Sequence, residues 1–237
     1  MRKEPFSTGD YVHVFNRGNR KLPIVKDTGD RDHFLQMLYY FNTRETPSNP
    51  FGELRKLSER LRFNLNDFVW PDEWQSHQPI VGIINFALVE NHFHFLLKEV
   101  IEGGIAKFMQ RFGTGMTMFY NTKYQESGTL FQGSYKARRV DSDFYLKYLT
   151  VYIQIKNVFE IYPGGLKKAI SEFDKAYNWA IKYPYCSLGD YLSEGDSKII
   201  SEHFTELFSN PKEYKDFIFD CLRNVNLEDE LKDYIFI

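Results

Sequence analysis

Polar and apolar residues interleave along Tyr11-Val12-His13-Val14-Phe15, and the run stops at Asn16-Arg17-Gly18-Asn19, which predicts a strand ending in a turn. Asp30 to Phe41 sets Phe34, Leu35, Leu38, Tyr39 and Phe41 at helical spacing behind acidic residues, so a first helix follows. Between Thr43 and Gln78, Pro47, Pro50 and Pro71 bracket Glu53 to Phe68, where Leu54, Leu57, Leu61 and Leu65 share one helical face. This is a helical insertion over about 44–78. The β-branched run Ile80 to Val89 and the run His92 to Leu97, joined by Glu90-Asn91, predict a hairpin. After Gly103-Gly104, Ile105, Phe108, Met109, Phe112, Met116 and Phe119 recur at helical intervals, with a weak point at Gly113 and Gly115. Leu130 to Val140 reads as a loop leading into a strand. Asp141 to Phe159 reads as one unbroken helix capped by Asp141 or Ser142. Further helices are predicted over 168–179, 197–208 and 212–223.

The order strand, helix, strand, strand, helix, strand, helix implies an α+β class: a ferredoxin-like, split β-α-β antiparallel sheet with helices on one face. The break at Gly189 to Asp196 separates a domain over 1–192 from a helical C-terminal extension over 193–237. With 237 residues, 43% of them apolar and 26% charged, the chain can bury one sizeable core, which excludes disordered, fibrous and disulfide-scaffold classes. Cys186 and Cys221 form no metal pair or disulfide framework, and point to a reducing, cytoplasmic setting. The longest apolar stretch, Ile80 to Val89, contains Gly82 and Asn85 and is too short to cross a bilayer. No apolar signal core follows Met1-Arg2-Lys3-Glu4-Pro5.

The net charge of −2 hides an asymmetry. Residues 190–237 hold 12 Asp/Glu against 5 Lys/Arg, whereas 98–139 hold 7 basic against 3 acidic residues, ending in Lys136, Arg138 and Arg139. Because screening limits the reach of charge to roughly 10 Å, such a patch binds phosphate whatever the distant tail carries.

His92 and His94 are one residue apart on a strand, so both imidazoles leave the same face while Phe93 and Phe95 leave the other. Neutral imidazoles so placed suit a divalent ion that polarises a substrate oxygen, although the pair alone is more often two hydrogen-bonded strand histidines. Tyr145, Tyr148 and Tyr152 line one face of the third predicted helix. Tyr145 and Tyr148 suit an aromatic packing stripe, and Tyr152 suits a nucleophile. His13, His33, His77 and His203 read as structural or surface residues, and Trp70 and Trp74 as pins for the insertion.

Asn91-His92-Phe93-His94-Phe95-Leu96-Leu97 resembles the His-hydrophobic-His (HUH) signature of single-tyrosine transposases. Four further segments are similar to that family's REP-associated branch, in the same order along the chain. They are Phe15-Asn16-Arg17-Gly18-Asn19-Arg20, Leu130-Phe131-Gln132-Gly133-Ser134-Tyr135-Lys136-Ala137, Tyr152-Ile153-Gln154-Ile155-Lys156-Asn157-Val158 and the stretch from Tyr183 to Leu192. The resemblance implies a nuclease for single-stranded or hairpin DNA in which Tyr152 forms a 5′-phosphotyrosine. His92 and His94 would hold Mg²⁺ or Mn²⁺, and the active assembly would be a homodimer. Family members carry a third, amide ligand four residues after the nucleophile. Lys156 stands there, so either Gln154 or Asn157 substitutes through a local shift, or Lys156 offers charge to the phosphate. Glu90 is a milder departure from a usual proline. DNA contacts are expected from Arg17, Arg20, Lys21, Lys136, Arg138 and Arg139, with Tyr135 and Phe131 stacking on bases. The alternatives are a catalytically inactive, domesticated protein that binds hairpin DNA or RNA, and a metal-dependent phosphoester hydrolase.

Overall fold

In the computed structural model, which describes residues 5–193, 197–201, 207–224 and 226–233, the first strand runs on to Arg17 (β1, Tyr11–Arg17). β2 (Val81–Leu88) and β3 (His92–Glu99) form the expected hairpin, closed by the Val89 amide donating to the His92 carbonyl at 3.0 Å across Glu90 and Asn91. β4 (Lys136–Val140) completes an antiparallel sheet in the order β2-β3-β1-β4. This is the order that split β-α-β connectivity produces, and the fold is ferredoxin-like α+β.

Alternation gives the two faces of the sheet different chemistry. Val12 and Val14 of β1 lie beside Leu97 and Phe95 of β3, and α1 (Thr28–Tyr40) and α3 (Gly104–Tyr124) cover that face. The Phe34 ring of α1 sits 5.7 Å from Phe95 and 5.2 Å from Phe112 of α3. α3 runs unbroken through Gly113 and Gly115. A Cβ at Gly115 would come within 2.6 Å of the Phe41 ring, so the glycine there admits the end of α1 rather than weakening α3.

Helices on one face therefore holds for α1 and α3 only. The opposite face carries His13, Phe15, His94 and Leu96, all buried, and is covered by the chain after β4. Ser142 precedes α4 (Asp143–Val151), which widens into a π turn at Tyr152–Lys156 and closes as α5 (Asn157–Glu160). A uniform α-helix was expected over this stretch, because hydrophobic periodicity does not register one extra residue in a single turn.

The insertion contains α2 (Pro50–Leu61), ended early by the left-handed Arg62 (φ 56°). Its base is closed by buried Asn42, whose Oδ1 accepts the Ile80 and Val81 amides while its Nδ2 donates to the Val81 carbonyl. Trp70 packs against Trp74, Tyr40 and His77, pinning the insertion down.

The predicted helix over 168–179 is divided at Glu172 into α6 (Gly165–Ser171) and α7 (Phe173–Ile181). Of the helix expected over 197–208, residues 202–206, including His203 and Phe204, lie outside the described residues, and 197–201 and 207–208 are not helical. After α8 (Leu188–Leu192), α9 (Pro211–Asn224) packs Phe217 5.4 Å from Tyr148 and Phe219 5.0 Å from Phe173. Among the described residues no helix is long and apolar enough to cross a membrane.

His33 lies between the rings of Phe51 (4.3 Å) and Phe119 (3.9 Å), and desolvation lowers its pKa from 6.5 to about 4. Its proton is held more tightly by the unfolded chain, so stability is full above pH 6.5 and falls as pH drops from 6.5 towards 4. Part of the ring still reaches water, so the loss from this group is about 2 kcal/mol. We expect His33→Gln to flatten the pH dependence of chemical unfolding in that window. An unchanged slope would refute the assignment.

Candidate active site

Strand register brings the motifs together. β1 and β3 set Arg17 opposite His92 and Phe15 opposite His94. The turn after Arg17 is then tied to two other segments: the Gly18 amide donates to the Asn91 carbonyl (2.8 Å), the Asn19 amide to Leu130 (2.8 Å), and the Gln132 amide to Arg17 (3.0 Å). A Cβ at Gly18 would lie 2.0 Å from the Leu22 carbonyl oxygen, so only glycine admits the turn. Three segments distant in sequence, around Gly18, Asn91 and Leu130, thus share one corner.

The hydrogen-bond network assigns the His92 tautomer. Asn91 donates its Nδ2 to the Lys21 carbonyl (3.0 Å), which turns its Oδ1 to His92 Nδ1 at 2.7 Å. His92 therefore carries its proton on Nδ1 and a lone pair on Nε2. That Nε2 faces Asn157 Oδ1 at 3.4 Å. Asn157 is itself fixed, because its Nδ2 donates to the Tyr152 carbonyl at 2.8 Å. Two bare acceptors thus converge, an arrangement suited to a cation. Desolvation first, then the neighbouring Arg17 and Lys156 charges, lower the His92 pKa against the opposing Asn157 contact. His94, wholly buried, is pushed well below the usual imidazole range by desolvation and by its histidine neighbours. Both rings stay neutral, the ligating form.

The π turn brings Asn157 here. Its backbone amide and its side chain both reach the Tyr152 carbonyl, five residues back. In an α-helix the residue four after Tyr152 would share that face; one extra residue in the turn gives the place to Asn157. Lys156 instead pairs with Glu160 (2.8 Å), with its Nζ 5.2 Å from the centre of the Tyr152 ring. Gln154 faces away: its Nε2 donates to Ser187 Oγ (2.9 Å), and its Oε1 accepts the Tyr214 hydroxyl (2.7 Å) from α9. Gln154 as a metal ligand is therefore corrected, its amide being committed to a buried structural knot.

Tyr152 is fully buried, its ring edge-on to His94 at 5.4 Å. Beside the histidines is a cleft of about 10 Å³, room for one water or ion, lined by Arg17, His92, His94, Gln132 and Lys136 among others. Arg17 Nε is buried with no partner among the described residues. Pairing sets Lys136 and Arg138 on the histidine face of β4 and Arg139 on the other, which divides the expected basic cluster. Phe131 is buried 5.8 Å from Phe93 and is core rather than a stacking platform, while Tyr135 is half-buried. Arg20 and Lys21 are exposed and both left-handed (φ 54° and 63°), a strain that clusters at functional sites. Burial raises both cysteine thiols to about 12, so neither is a nucleophile.

Among the described residues no group of three or more His, Cys, Asp and Glu side chains is placed to hold a metal, so any ion here would rest on two imidazoles and an amide. Sequence reasoning missed His13 and Asn91, the ring-nitrogen partners of His94 and His92. Asn91 adjoins His92 in sequence, which could have signalled it, whereas the relation of His13 to His94 depends on strand register and carries no local signal.

The family described as IS200-like transposase matches residues 73–156, from the end of the insertion through the π turn. A solved structure described as a REP-associated tyrosine transposase bound to a REP hairpin is similar at 10% identity and a TM-score of 0.44, covering 85% of this chain and 90% of that one. No curated protein matches.

Tyr214→Phe would leave Gln154 Oε1 buried without its donor. We expect a loss of about 1–3 kcal/mol in denaturant unfolding. A loss below about 0.5 kcal/mol, the range of surface substitutions, would contradict the knot.

Proposed function

We propose, from the match of residues 73–156 to the family described as IS200-like transposase, that this protein is a DNA strand-transfer nuclease with Tyr152 as its nucleophile. The observation that carries the reading is the convergence of His92 Nε2 and Asn157 Oδ1 beside the nucleophile turn. His92, His94 and Asn157 would hold Mg²⁺ or Mn²⁺, which when bound withdraws charge from a scissile phosphate. Arg17 and Lys136 line the same cleft and suit the phosphate oxygens, with Arg138 on the same sheet face. Arg20 and Lys21 extend the path along a single-stranded or hairpin DNA substrate. In the reaction the Tyr152 Oη–phosphorus bond forms as the phosphorus–O3′ bond breaks. The phenol proton ends on the 3′-oxygen, leaving a 5′-phosphotyrosine whose bond energy serves rejoining. The Lys156 ammonium, next to the phenol ring, would favour its ionised form. Two copies acting together complete the reading.

Two observations favour a second reading, binding without cleavage: Tyr152 has no exposed surface, and a lysine stands where the family carries its amide ligand. Incubation with 5′- and 3′-labelled hairpin and single-stranded DNA libraries in Mn²⁺ separates the two. The nuclease reading expects a covalent protein–DNA band, absent in Tyr152→Phe and reduced at least about tenfold in Asn157→Ala. Tight hairpin binding with no adduct would overturn it in favour of the second reading.

A further inference from the structure

We propose that His13 is the positioning residue of His94: it accepts the Nδ1 proton of His94 and so holds that ring with its Nε2 lone pair available to a cation. The inference rests on the metal reading above and adds a residue to it. His13 lies two positions from Phe15 on β1, and Phe15 pairs with His94 across the sheet, so the two histidines are diagonal neighbours on one face. His13 Nε2 lies 2.9 Å from His94 Nδ1, with both side chains buried. The rings are 5.1 Å apart but only 13° from parallel. Rings that share a plane and touch through nitrogens make an in-plane N–H···N bond, not a face-to-face stack.

One of the two nitrogens in that contact must carry the proton. If His94 Nδ1 donates, its Nε2 is bare; if His13 Nε2 donates, a neutral His94 carries its proton on Nε2 and cannot ligate. Ligation therefore selects the first arrangement. His94 is then held as His92 is held by Asn91, each ligand's remote nitrogen being committed to a polar partner. Phe15 (4.9 Å) and Tyr152 (6.5 Å) pack around the His13 ring and restrict its rotation. The Nε2 of His13 is used by His94, so His13 is not itself a ligand.

The first test needs no metal and no variant. Two-dimensional ¹⁵N–¹H spectra of the histidine side chains near neutral pH should show His94 protonated on Nδ1 and bare on Nε2. A proton on Nε2 would overturn the proposal. In the second test, Mn²⁺ is titrated and followed by paramagnetic resonance, with His92→Ala as the control for site binding. His13→Phe, which keeps an aromatic ring but has no acceptor, should weaken Mn²⁺ binding about 10- to 100-fold. His13→Gln, whose amide oxygen reaches about as far as Nε2, should return most of it. Affinity in His13→Phe within twofold of wild type would overturn the inference. Absence of Mn²⁺ binding by the wild-type protein would instead refute the metal reading, and the tautomer would still be decided by the spectra.

Discussion

The side-chain amide of Asn157 donates to the Tyr152 carbonyl, five residues back in the same helix, and the arrangement of the site depends on that bond. A π turn spends one more residue per turn than an α-helix and has poorer backbone geometry, so it needs compensation. Here the compensation is local. Asn157 supplies a second donor to the Tyr152 carbonyl, the Cys186 thiol reaches the Gln154 carbonyl at 3.5 Å, and the Gln154 side chain is held between Ser187 and Tyr214. Ser187 Oγ also accepts the Phe86 amide of β2. The helix carrying Tyr152 is therefore bolted to the sheet on one side and to α9 on the other, and the acidic C-terminal segment contributes a buried hydroxyl to the Tyr152 turn.

This geometry changes the meaning of Lys156. Four residues after Tyr152, it stands where the sequence resemblance implies an amide ligand. With one residue added to the turn, the amide that faces His92 is the next one along, and Lys156 lies between Tyr152 and Glu160. Neutral imidazoles, one amide oxygen and the cationic Arg17 then occupy one corner, with the −7 charge imbalance of residues 190–237 carried by a separate stretch of chain.

The fold was legible because its strands are short β-favouring runs bounded by turn residues and its turns are short, so strand order and hairpin followed from composition and punctuation. His92 and His94 were legible because a spacing of two on a strand fixes the shared face. What the sequence could not disclose was register between distant segments. His13 reads as an ordinary strand histidine until β1 is aligned with β3, and Arg139 reads as one of a basic cluster until pairing turns it to the opposite face. Between Gln154 and Asn157 as the amide beside His92, periodicity gave no decision, because the answer lies in a single widened turn.

The most direct measurement is anomalous diffraction at the manganese edge from crystals of the full chain soaked in Mn²⁺. The account predicts a peak bounded by Nε2 of His92, Nε2 of His94 and Oδ1 of Asn157, with Gln154 still bonded to Ser187 and Tyr214. A manganese ion ligated by Gln154, or a site in which Asn157 has turned away from the two histidines, would contradict it.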